Sequence, residues 1–255
     1  MDFTPFYFMI SQGPGAMVRA YLNDVPFYRY YGPEPVNRTG PAVHLLVPGE
    51  NTFAIEIDRA DTANQVFFEL NINWNHESPV FYFEWPREAA HLPRDRRVPF
   101  RYEARFTPEG HLFEPMWLST KPVDIPCSGT PEIKDALRRI HAAIESRDVD
   151  AYCSEFSLKA REQERAYPGW PGSTAADMRQ GLGDFFQMRL ALQPLDLDDV
   201  HFELRSGGRL AHARRTGGGF VIDALTIDRT ADDEQGRLSL DPTFVRHEGR
   251  WQLIH

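Results

Sequence analysis

The first half of the chain consists of short apolar stretches separated by turn residues. In residues 52–58, the apolar Phe53, Ile55 and Ile57 alternate with polar residues, which is the period of a half-buried strand. Such stretches recur about every 8–12 residues, with turn signals such as Asn23-Asp24 between them. This spacing predicts an antiparallel β-sandwich with strands near residues 4–10, 17–22, 25–31, 42–47, 52–58, 65–74, 79–85, 98–106 and 116–123.

The pattern changes to a helical period after Cys127. Thr130 suits the N-cap of a helix, and Pro131 suits its first position. The apolar residues that follow recur at intervals of three and four, which places them on one helix face: Ile133, Leu137, Ile140 and Ile144. Two more helices are predicted near 149–165 and 174–192, followed by strands near 201–205, 209–215, 220–228, 238–246 and 250–255.

Composition divides the chain at the same place. Fifteen of the 20 prolines and 22 of the 32 aromatic residues lie at or before Pro126. Prolines and aromatic residues are typical of turns and short strands, and the second half has few of either. We therefore predict a two-domain β plus α+β protein, with a β-sandwich over residues 1–126 and an α+β domain over residues 130–255.

Two turns in the first half resemble the opening of jelly-roll modules of the galactose-binding type. The first is Tyr21-Leu22-Asn23-Asp24-Val25-Pro26, and the second is Leu45-Leu46-Val47-Pro48-Gly49-Glu50-Asn51-Thr52-Phe53. Asp24 stands where these modules usually have glycine. The resemblance is largely one of turn chemistry, so it implies a sandwich more than it implies sugar binding.

The second half resembles the NTF2-like superfamily, whose cystatin-like α+β domains place helices on a curved antiparallel sheet. Residues Ile140–Tyr152 are similar to the first helix and following turn of that family, and Phe244–His255 are similar to its closing strands. In that family the sheet encloses a cone-shaped pocket, which serves catalysis in some members and binding or dimerisation in many. The resemblance also implies that two copies could associate through the C-terminal sheet.

The NTF2-like resemblance implies a ligand pocket near five residues: Tyr152, Trp170, His212, Arg214 and Asp223. A carboxylate that aromatic rings desolvate could abstract a proton there, as in isomerases and dehydratases of the family. None of the five residues matches a catalytic motif of the family, so we expect a pocket lining without chemistry.

Motifs for nucleophilic catalysis, nucleotide binding and metal binding are missing from the sequence. There is no Gly-x-Ser-x-Gly elbow, and Gly217-Gly218-Gly219 lacks the lysine and hydroxyl residue of a P-loop. His201, Glu203 and His212 could meet across a hairpin as two imidazoles and one carboxylate. We expect a polar surface at that hairpin, and we expect no metal and no cofactor in the protein.

Charge and hydropathy narrow the classes of partner. The net charge of −9 disfavours nucleic acid, because binding to phosphates requires clustered basic residues. No window approaches 18 consecutive apolar residues, so we expect no membrane partner. Cys127 and Cys153 are the only cysteines, and two thiols without a disulfide framework fit a cytoplasmic protein.

Two predicted strands of the first half carry aromatic residues on both faces. Tyr28 and Tyr30 share one face of the strand near 25–31, and the strand near 79–85 includes Tyr82 and Trp85. A strand that is apolar on both sides is either buried between domains or part of a partner surface. These four residues are the candidates for such a surface.

These observations favour a non-catalytic protein that recognises a protein partner. An acidic binder of this kind could neutralise a basic partner, such as a bacterial toxin, in the manner of an immunity protein. Two alternatives stay open. One is an NTF2-like enzyme of the isomerase or dehydratase type that uses the C-terminal pocket, and the other is a carbohydrate- or lipid-binding module that uses the sandwich.

Overall fold

The computed structural model describes residues 6–13, 16–30, 34–60, 68–74, 79–85, 100–109, 113–168, 175–227 and 236–254. Contacts between residues group the chain into two compact units, Met1–Pro115 and Met116–His255. Within the described ranges every strand pair is antiparallel, and the four α-helices belong to the second unit. The protein therefore has a β-rich α+β fold. No helix in these ranges is long and apolar enough to cross a membrane.

The first unit contains two four-stranded sheets. Their strands are β1 (Phe6–Gln12), β2 (Ala16–Leu22), β3 (Val25–Tyr30), β4 (Val36–Pro41), β5 (Asn51–Ala60), β6 (Phe68–Trp74), β7 (Pro79–Trp85) and β8 (Phe100–Phe106). One sheet has the order β4-β1-β6-β7, and the other has the order β3-β2-β5-β8. The strands of the two sheets are interleaved along the chain, so neither sheet forms from one continuous segment.

Strand β5 shows the predicted alternation of buried and polar residues. Phe53, Ile55 and Ile57 are fully buried, whereas Glu56 is half-buried. The ring of Phe53 also contacts the other sheet, because its centroid lies 5.3 Å from that of Phe83 on β7. Burial of one large apolar side chain contributes roughly 1.5–3 kcal/mol, so rings of this kind are a main source of stability for the unit.

The two turns that carry the jelly-roll resemblance are joined by their asparagines. Asn23 Nδ2 donates to Asn51 Oδ1 at 2.7 Å and to the carbonyl of Leu45 at 2.8 Å. Asn51 Oδ1 also accepts from the backbone N–H of Val47 at 2.8 Å. Asp24 adopts a φ of 64°, a left-handed conformation that aspartate tolerates better than most residues with a Cβ. In this structure the two asparagines therefore bind backbone groups and each other.

Two of the strands predicted in the first half are wrong. Val43–Leu45 forms a short 3-10 helix, and Met116–Ser119 forms another. Four apolar residues of the first segment are all buried: Ala42, Val43, Leu45 and Leu46. A strand would turn successive side chains to opposite faces, whereas a compact turn can bury all four. The strand before this turn is instead β4, whose side chains are mostly exposed.

The second unit contains four α-helices and two sheets in its described residues. The helices are α1 (Pro131–Ser146), α2 (Val149–Glu155), α3 (Ser157–Ala166) and α4 (Ala175–Gln187). The strands are β9 (Leu190–Leu192), β10 (Val200–Arg205), β11 (Leu210–Arg215), β12 (Ile222–Thr226), β13 (Arg237–Leu240), β14 (Thr243–His247) and β15 (Arg250–Leu253). One sheet has the order β10-β11-β14-β15, and the other has the order β13-β12-β9.

Helix α1 begins where the sequence predicts. The hydroxyl of Thr130 accepts from the backbone N–H of Ile133 at 3.4 Å, and Pro131 is the first helical residue. The four apolar residues of the predicted stripe are each no more than 1 % exposed: Ile133, Leu137, Ile140 and Ile144. Both the N-cap and the buried face of this helix are therefore confirmed.

Later elements of the second unit differ from their predicted bounds. The helix predicted over 149–165 is interrupted at Phe156, where φ is −96° and ψ is 9°, so α2 and α3 are separate. The helix predicted over 174–192 is shorter, and its last residues, Leu190–Leu192, form β9. The strand predicted over 238–246 is divided into β13 and β14, which belong to different sheets. Residues 190–192 pair with β12, so a long-range contact overrides the helical pattern of their sequence.

One hydrophobic core in the second unit includes residues of α1, α2 and α4 and of both sheets. Ala211 and Ala213 of β11 and Ala224 of β12 are fully buried in it. Successive strand residues point to opposite sides of a sheet. His212 and Asp223, which lie next to these alanines in the sequence, therefore point away from this core.

The segment before α1 is fixed to the β10–β11 hairpin. The N–H of Phe202 donates to the carbonyl of Cys127 at 2.7 Å, and the N–H of Val123 donates to the carbonyl of Gly208 at 2.8 Å. Gly129 has a φ of 76°, and a Cβ at this position would overlap the ring of Phe202. Residues 116–126, which the sequence assigns to the first domain, accordingly group with the second unit.

Candidate functional site

One face of the β4-β1-β6-β7 sheet presents exposed apolar and polar side chains together. In β1, the buried Phe6, Phe8 and Ile10 alternate with the more exposed Tyr7 and Met9. We call the second set the outer face, and it points away from the other sheet of the unit. Its described side chains include Tyr7, Met9, Ser11, Asn37, Thr39, Tyr82 and Glu84.

Met9 and Tyr82 lie in one row across the outer face. Met9 pairs with Asn71 on β6, and Asn71 pairs with Tyr82 on β7. The backbones of Met9 and Tyr82 are therefore about 10 Å apart, since neighbouring strands are about 4.8 Å apart. Met9 is 43 % exposed and Tyr82 is 39 % exposed. The other large hydrophobic side chains that are exposed in the described residues, Leu204 and Ile227, belong to the second unit.

The polar groups of the outer face are held by short hydrogen bonds. Tyr82 donates its hydroxyl to Glu84 Oε2 at 2.6 Å, and Ser11 donates its hydroxyl to Asn37 Oδ1 at 2.7 Å. Burial raises the pKa of the Tyr7 hydroxyl, so this group is neutral at physiological pH. Side chains that are oriented before binding lose less conformational entropy when a partner docks.

The outer face has the chemistry of a binding surface. Tyrosine and methionine are enriched in protein interfaces, and serine and asparagine supply adaptable hydrogen bonds beside them. Its described side chains hold the carboxylate of Glu84 but no imidazole, thiol or amine. This set of groups can bury area and form hydrogen bonds.

The four predicted partner-surface residues have different environments in the structure. Tyr82 is exposed on the outer face, as described above. Tyr30 is half-buried and donates its hydroxyl to the carbonyl of Glu34 at 2.6 Å. The backbone of Trp85 ends β7, and its side chain lies outside the described part of the structure.

Tyr28 does not fit a partner surface, because it is only 4 % exposed. It pairs in register with the fully buried Ala20, and it donates its hydroxyl to the buried Gln12 Oε1 at 2.8 Å. Burial raises the pKa of Tyr28 well above its usual value. The sequence pattern identified an aromatic strand, but it could not show that Gln12 satisfies this hydroxyl from another sheet.

Two of the five predicted pocket residues are aromatic. Tyr152 is 3 % exposed, and its ring stacks on Phe156 with centroids 4.3 Å apart. The Phe186 ring is nearly perpendicular to it, with centroids 6.0 Å apart, so Tyr152 is packed into the core. Burial raises the pKa of the Tyr152 hydroxyl, which therefore stays protonated at neutral pH. Trp170 lies outside the described residues.

His212 and Arg214 lie on the side of β11 opposite the core. His212 is 4 % exposed, and its Nδ1 lies 3.0 Å from the hydroxyl of Thr243. Arg214 Nη1 donates to Glu203 Oε1 at 2.7 Å. Arg205 donates to the other oxygen of the same carboxylate. Glu203 is thus shared by two guanidinium groups and also lies 3.3 Å from His201 Nε2, whereas His212 contacts Thr243.

Asp223 is buried on β12 and is surrounded by hydrogen-bond donors. Arg237 Nε donates to Oδ1 at 2.9 Å, and Arg237 Nη2 donates to Oδ2 at 2.8 Å. The hydroxyl of Ser239 donates to Oδ1 at 2.6 Å. The guanidinium carbon of Arg237 also lies 5.0 Å from the centroid of the Phe220 ring. This bidentate arrangement is that of a structural ion pair, not of a carboxylate open to a substrate.

The five predicted pocket residues are therefore not brought together where the structure describes them. Tyr152 faces the core, His212 and Arg214 face the other side of β11, and Asp223 lies in a different sheet. In the described ranges, no group of three or more histidine, cysteine, aspartate or glutamate side chains is arranged to hold a metal ion.

A cleft of about 450 Å³ lies between α1 and the segment after β9. Its walls combine charged and apolar side chains: Arg138, His141, Glu145, Leu192, Pro194, Leu195 and Leu197. His141 Nε2 lies 2.9 Å from the carbonyl of Gln193, so this imidazole ties the segment to the helix. Its lining includes the imidazole of His141 but no serine, threonine, cysteine or lysine.

Sequence reasoning identified Tyr82 but missed Met9. Met9 lies in an apolar run near the N-terminus, and a single methionine in such a run is normally a core residue. The alternation of β1 was the available signal, because it places residue 9 on the face opposite Phe8 and Ile10.

Comparison of the chain with models of known families, with curated proteins and with solved structures gave no match.

Proposed function

We propose that the protein is a non-catalytic recognition protein that binds a protein partner through the outer face. The observation that carries this proposal is the row formed by Met9 and Tyr82, which exposes two large side chains on one face of a sheet. Anchors of this type supply most of the binding energy in protein interfaces, where surrounding polar groups exclude water. Ser11, Asn37 and Glu84 are placed to form that polar rim.

The charge of the chain supports a basic partner. The net charge is −9, and the described side chains of the outer face include Glu84 but no lysine or arginine. Opposite charges on two proteins accelerate their association and disfavour wrong partners. A basic toxin neutralised by an acidic immunity-type protein is one example of such a pair, and it is the form of the proposal that we favour.

The enzyme alternative has less support. A general base needs an oxygen or nitrogen that a substrate proton can reach. Both carboxylate oxygens of Asp223 accept from Arg237, and the imidazole of His212 is buried beside Thr243. These groups have the partners expected of structural residues.

The proposal is tested by affinity capture from a lysate of the source cells, followed by titration of the purified partner. We expect the wild type to retain one basic protein in a 1:1 ratio. The double variant Met9→Ser/Tyr82→Ser should bind this protein at least about tenfold more weakly, because interface anchors contribute about 2 kcal/mol or more. Leu204→Ser is the matched control, since Leu204 is 38 % exposed but lies in the second unit, and it should bind like the wild type.

Several outcomes would overturn the proposal. Equal binding by the three proteins would show that the outer face is not the interface. Capture of an acidic partner, or of no stoichiometric protein, would contradict the proposal that the protein recognises a basic partner. Binding to a glycan array that Tyr82→Ser abolishes would assign the face to carbohydrate instead.

We also propose the two finer fold assignments that the sequence suggests. Contacts such as Phe53 with Phe83 and Phe81 with Phe106 support a β-sandwich in the first unit. Helices that share one core with antiparallel sheets support an NTF2-like arrangement in the second unit. An experimental structure tests both: sheets about 10 Å apart are expected in the first unit, and a sheet curved around helices is expected in the second.

A cytoplasmic location belongs to the same proposal. Cys127 and Cys153 are both free, and a reducing compartment favours free thiols. Fractionation of the source cells tests it, and recovery of the protein outside the cytoplasm would contradict it.

A further inference from the structure

The cleft between α1 and the segment after β9 combines a polar wall with an apolar wall. Arg138, His141 and Glu145 follow each other at intervals of three and four residues, so they share one face of α1. The rest of the lining is apolar and comes from the end of β9 and the residues after it: Leu192, Pro194, Leu195 and Leu197. The volume of about 450 Å³ is within the range of small-molecule sites.

The apolar wall is held in place by hydrogen bonds to three elements. The backbone N–H of Gln193 donates to the carbonyl of Asp223 on β12 at 2.9 Å. Arg215 Nη2, on β11, donates to the carbonyl of Pro194 at 2.8 Å. His141 Nε2, on α1, lies 2.9 Å from the carbonyl of Gln193. These bonds fix the wall independently of any ligand, which lowers the entropic cost of binding.

The hydrogen bond of His141 leaves its other ring nitrogen as an acceptor. A carbonyl oxygen only accepts, so Nε2 carries the hydrogen in the contact with Gln193. In the neutral imidazole Nδ1 then has a lone pair, and it has no hydrogen-bond partner among the described residues. The carboxylate of Glu145, one helical turn later, forms no hydrogen bond or ion pair with them either. Two acceptors are therefore available side by side on α1.

The charges around the cleft favour a cationic ligand. The guanidinium of Arg138 is already paired with Asp135, three residues earlier on α1. Asp196 and Asp198 belong to the segment that forms the apolar wall, and neither forms an ion pair within the described ranges. Together with Glu145 they give this part of the second unit an excess of negative charge.

We propose that the cleft binds a small primary amine with an apolar body. The ammonium group, which has three donors, donates to the carboxylate of Glu145 and to Nδ1 of His141, and the hydrocarbon part packs against Leu195 and Leu197. A metal ion fits less well, because the described ranges contain no group of three or more histidine, cysteine, aspartate or glutamate side chains arranged to hold one. The cleft belongs to the second unit, so this proposal does not depend on the function proposed for the outer face.

Three probes of equal chain length test the charge of the ligand. The full chain, labelled with nitrogen-15, is titrated with hexylamine, hexanol or hexanoate at pH 8, and its amide signals are followed by NMR. Hexylamine should bind saturably, shift the signals of residues 138–145 and 192–197, and bind at least about fivefold more tightly than hexanol, because a hydrogen bond to a charged group is stronger than one between neutral groups. Hexanoate should bind most weakly, because Glu145 repels it.

A shorter amine tests the apolar wall without changing the protein. Propylamine should bind at least about tenfold more weakly than hexylamine, since each methylene group removed from water strengthens binding by up to about fourfold. Equal affinities of the two amines would contradict the packing of the ligand against the leucines.

Two glutamate variants of α1 test the assignment of the ammonium group. Glu145 is exposed, so Glu145→Gln should fold like the wild type, and it should bind hexylamine at least about fivefold more weakly. Glu132→Gln is the matched control, because Glu132 is also exposed on α1 but does not line the cleft, and it should bind like the wild type. Unchanged binding by Glu145→Gln, or tighter binding of hexanoate than of hexylamine, would overturn the proposal. Hexylamine shifts that do not saturate, or that lie outside the residues of the cleft, would also overturn it.

Discussion

Asp223 is 3 % exposed, and three donors from β13 surround its carboxylate. A buried carboxylate needs such partners, because an ionised group without them carries the full cost of desolvation. Arg237 is half exposed, so part of its charge remains solvated while its planar group binds both oxygens. Desolvation therefore costs more free energy for Asp223 than for Arg237.

We predict that Asp223→Asn lowers the free energy of unfolding by about 1–2 kcal/mol, because the new amide group faces N–H and O–H donors instead of accepting from them. Urea denaturation followed by tryptophan fluorescence measures this change. Glu103→Gln is the control: Glu103 pairs with Arg101 at 2.7 Å but is 64 % exposed, so its loss should cost less than about 0.5 kcal/mol. Equal effects of the two substitutions would contradict the structural role of Asp223.

The role of Asp223 could not be read from the sequence. A carboxylate near aromatic residues suits a catalytic base as well as a buried ion pair. The distinction depends on Arg237 and Ser239, which reach Asp223 through the register of β12 and β13. No local pattern fixes which residues of two distant strands stand opposite each other. Tyr28 and Gln12 present the same difficulty in the first unit.

The helix N-termini of the second unit differ in the quality of their caps. The Asp148 carboxylate accepts from the N–H of Ala151 at 2.9 Å at the start of α2. The Thr130 hydroxyl accepts from the N–H of Ile133 at 3.4 Å at the start of α1. The first bond is shorter, and its acceptor is charged, which the positive end of the helix dipole favours.

We expect Asp148→Ala to destabilise the protein by about 1–2 kcal/mol and Thr130→Ala by about 0.5–1 kcal/mol. Chemical denaturation of both variants gives the comparison. Asp148→Asn should be close to the wild type, because asparagine is an equally good N-cap residue. A larger loss of stability for Thr130→Ala than for Asp148→Ala would show that cap geometry does not determine how much each cap contributes to the free energy of unfolding.

Elements with strong local signals were predicted well, and elements decided by distant partners were not. Helix α1 has a cap, a proline at its first position and a regular apolar stripe, and all three agree on its start. Residues 190–192 continue a helical apolar pattern but pair with β12 instead. The 42–47 segment is apolar enough for a strand, yet bonds from Asn23 and Asn51 hold it as a turn. In both errors the deciding group lies more than three residues outside the segment.

The hydrophobic core of the second unit is local to that unit. Its buried members lie between Ile133 and Leu253, and the partly buried residues packed against it start at Val123. Leu137 and Phe244 are both at most 1 % exposed within it. A core assembled from one continuous stretch of chain is what allows a domain to fold on its own.

Residues 116–255 produced alone should therefore unfold cooperatively in urea and show the circular dichroism of a helix-containing fold. Leu137→Ala in this fragment should lower the free energy of unfolding by about 2–5 kcal/mol, because it opens a cavity in the core. A fragment that unfolds without a cooperative transition would contradict this prediction, as would a Leu137→Ala variant with unchanged stability.

The sequence predicted part of the candidate binding face. Strands β1, β6 and β7 and the aromatic residue Tyr82 were predicted, since short alternating stretches with turn signals are strong local patterns, whereas β4 was not predicted. The joining of β1 and β7 through β6 was not, because sheet order depends on contacts between distant segments. Without the sheet order, the sequence does not show that Met9 and Tyr82 lie near each other.

Strand β4 has a consequence for the behaviour of the protein at high concentration. It lies at one edge of the sheet that carries the outer face, and its residues Val36–Pro41 include Asn37, Arg38 and a final proline. Exposed sheet edges are templates for aggregation, and polar residues, charge and proline suppress such growth because they hinder the docking of a further strand. Because this edge is protected, the protein can expose the apolar side chains of the outer face without recruiting a further strand along β4.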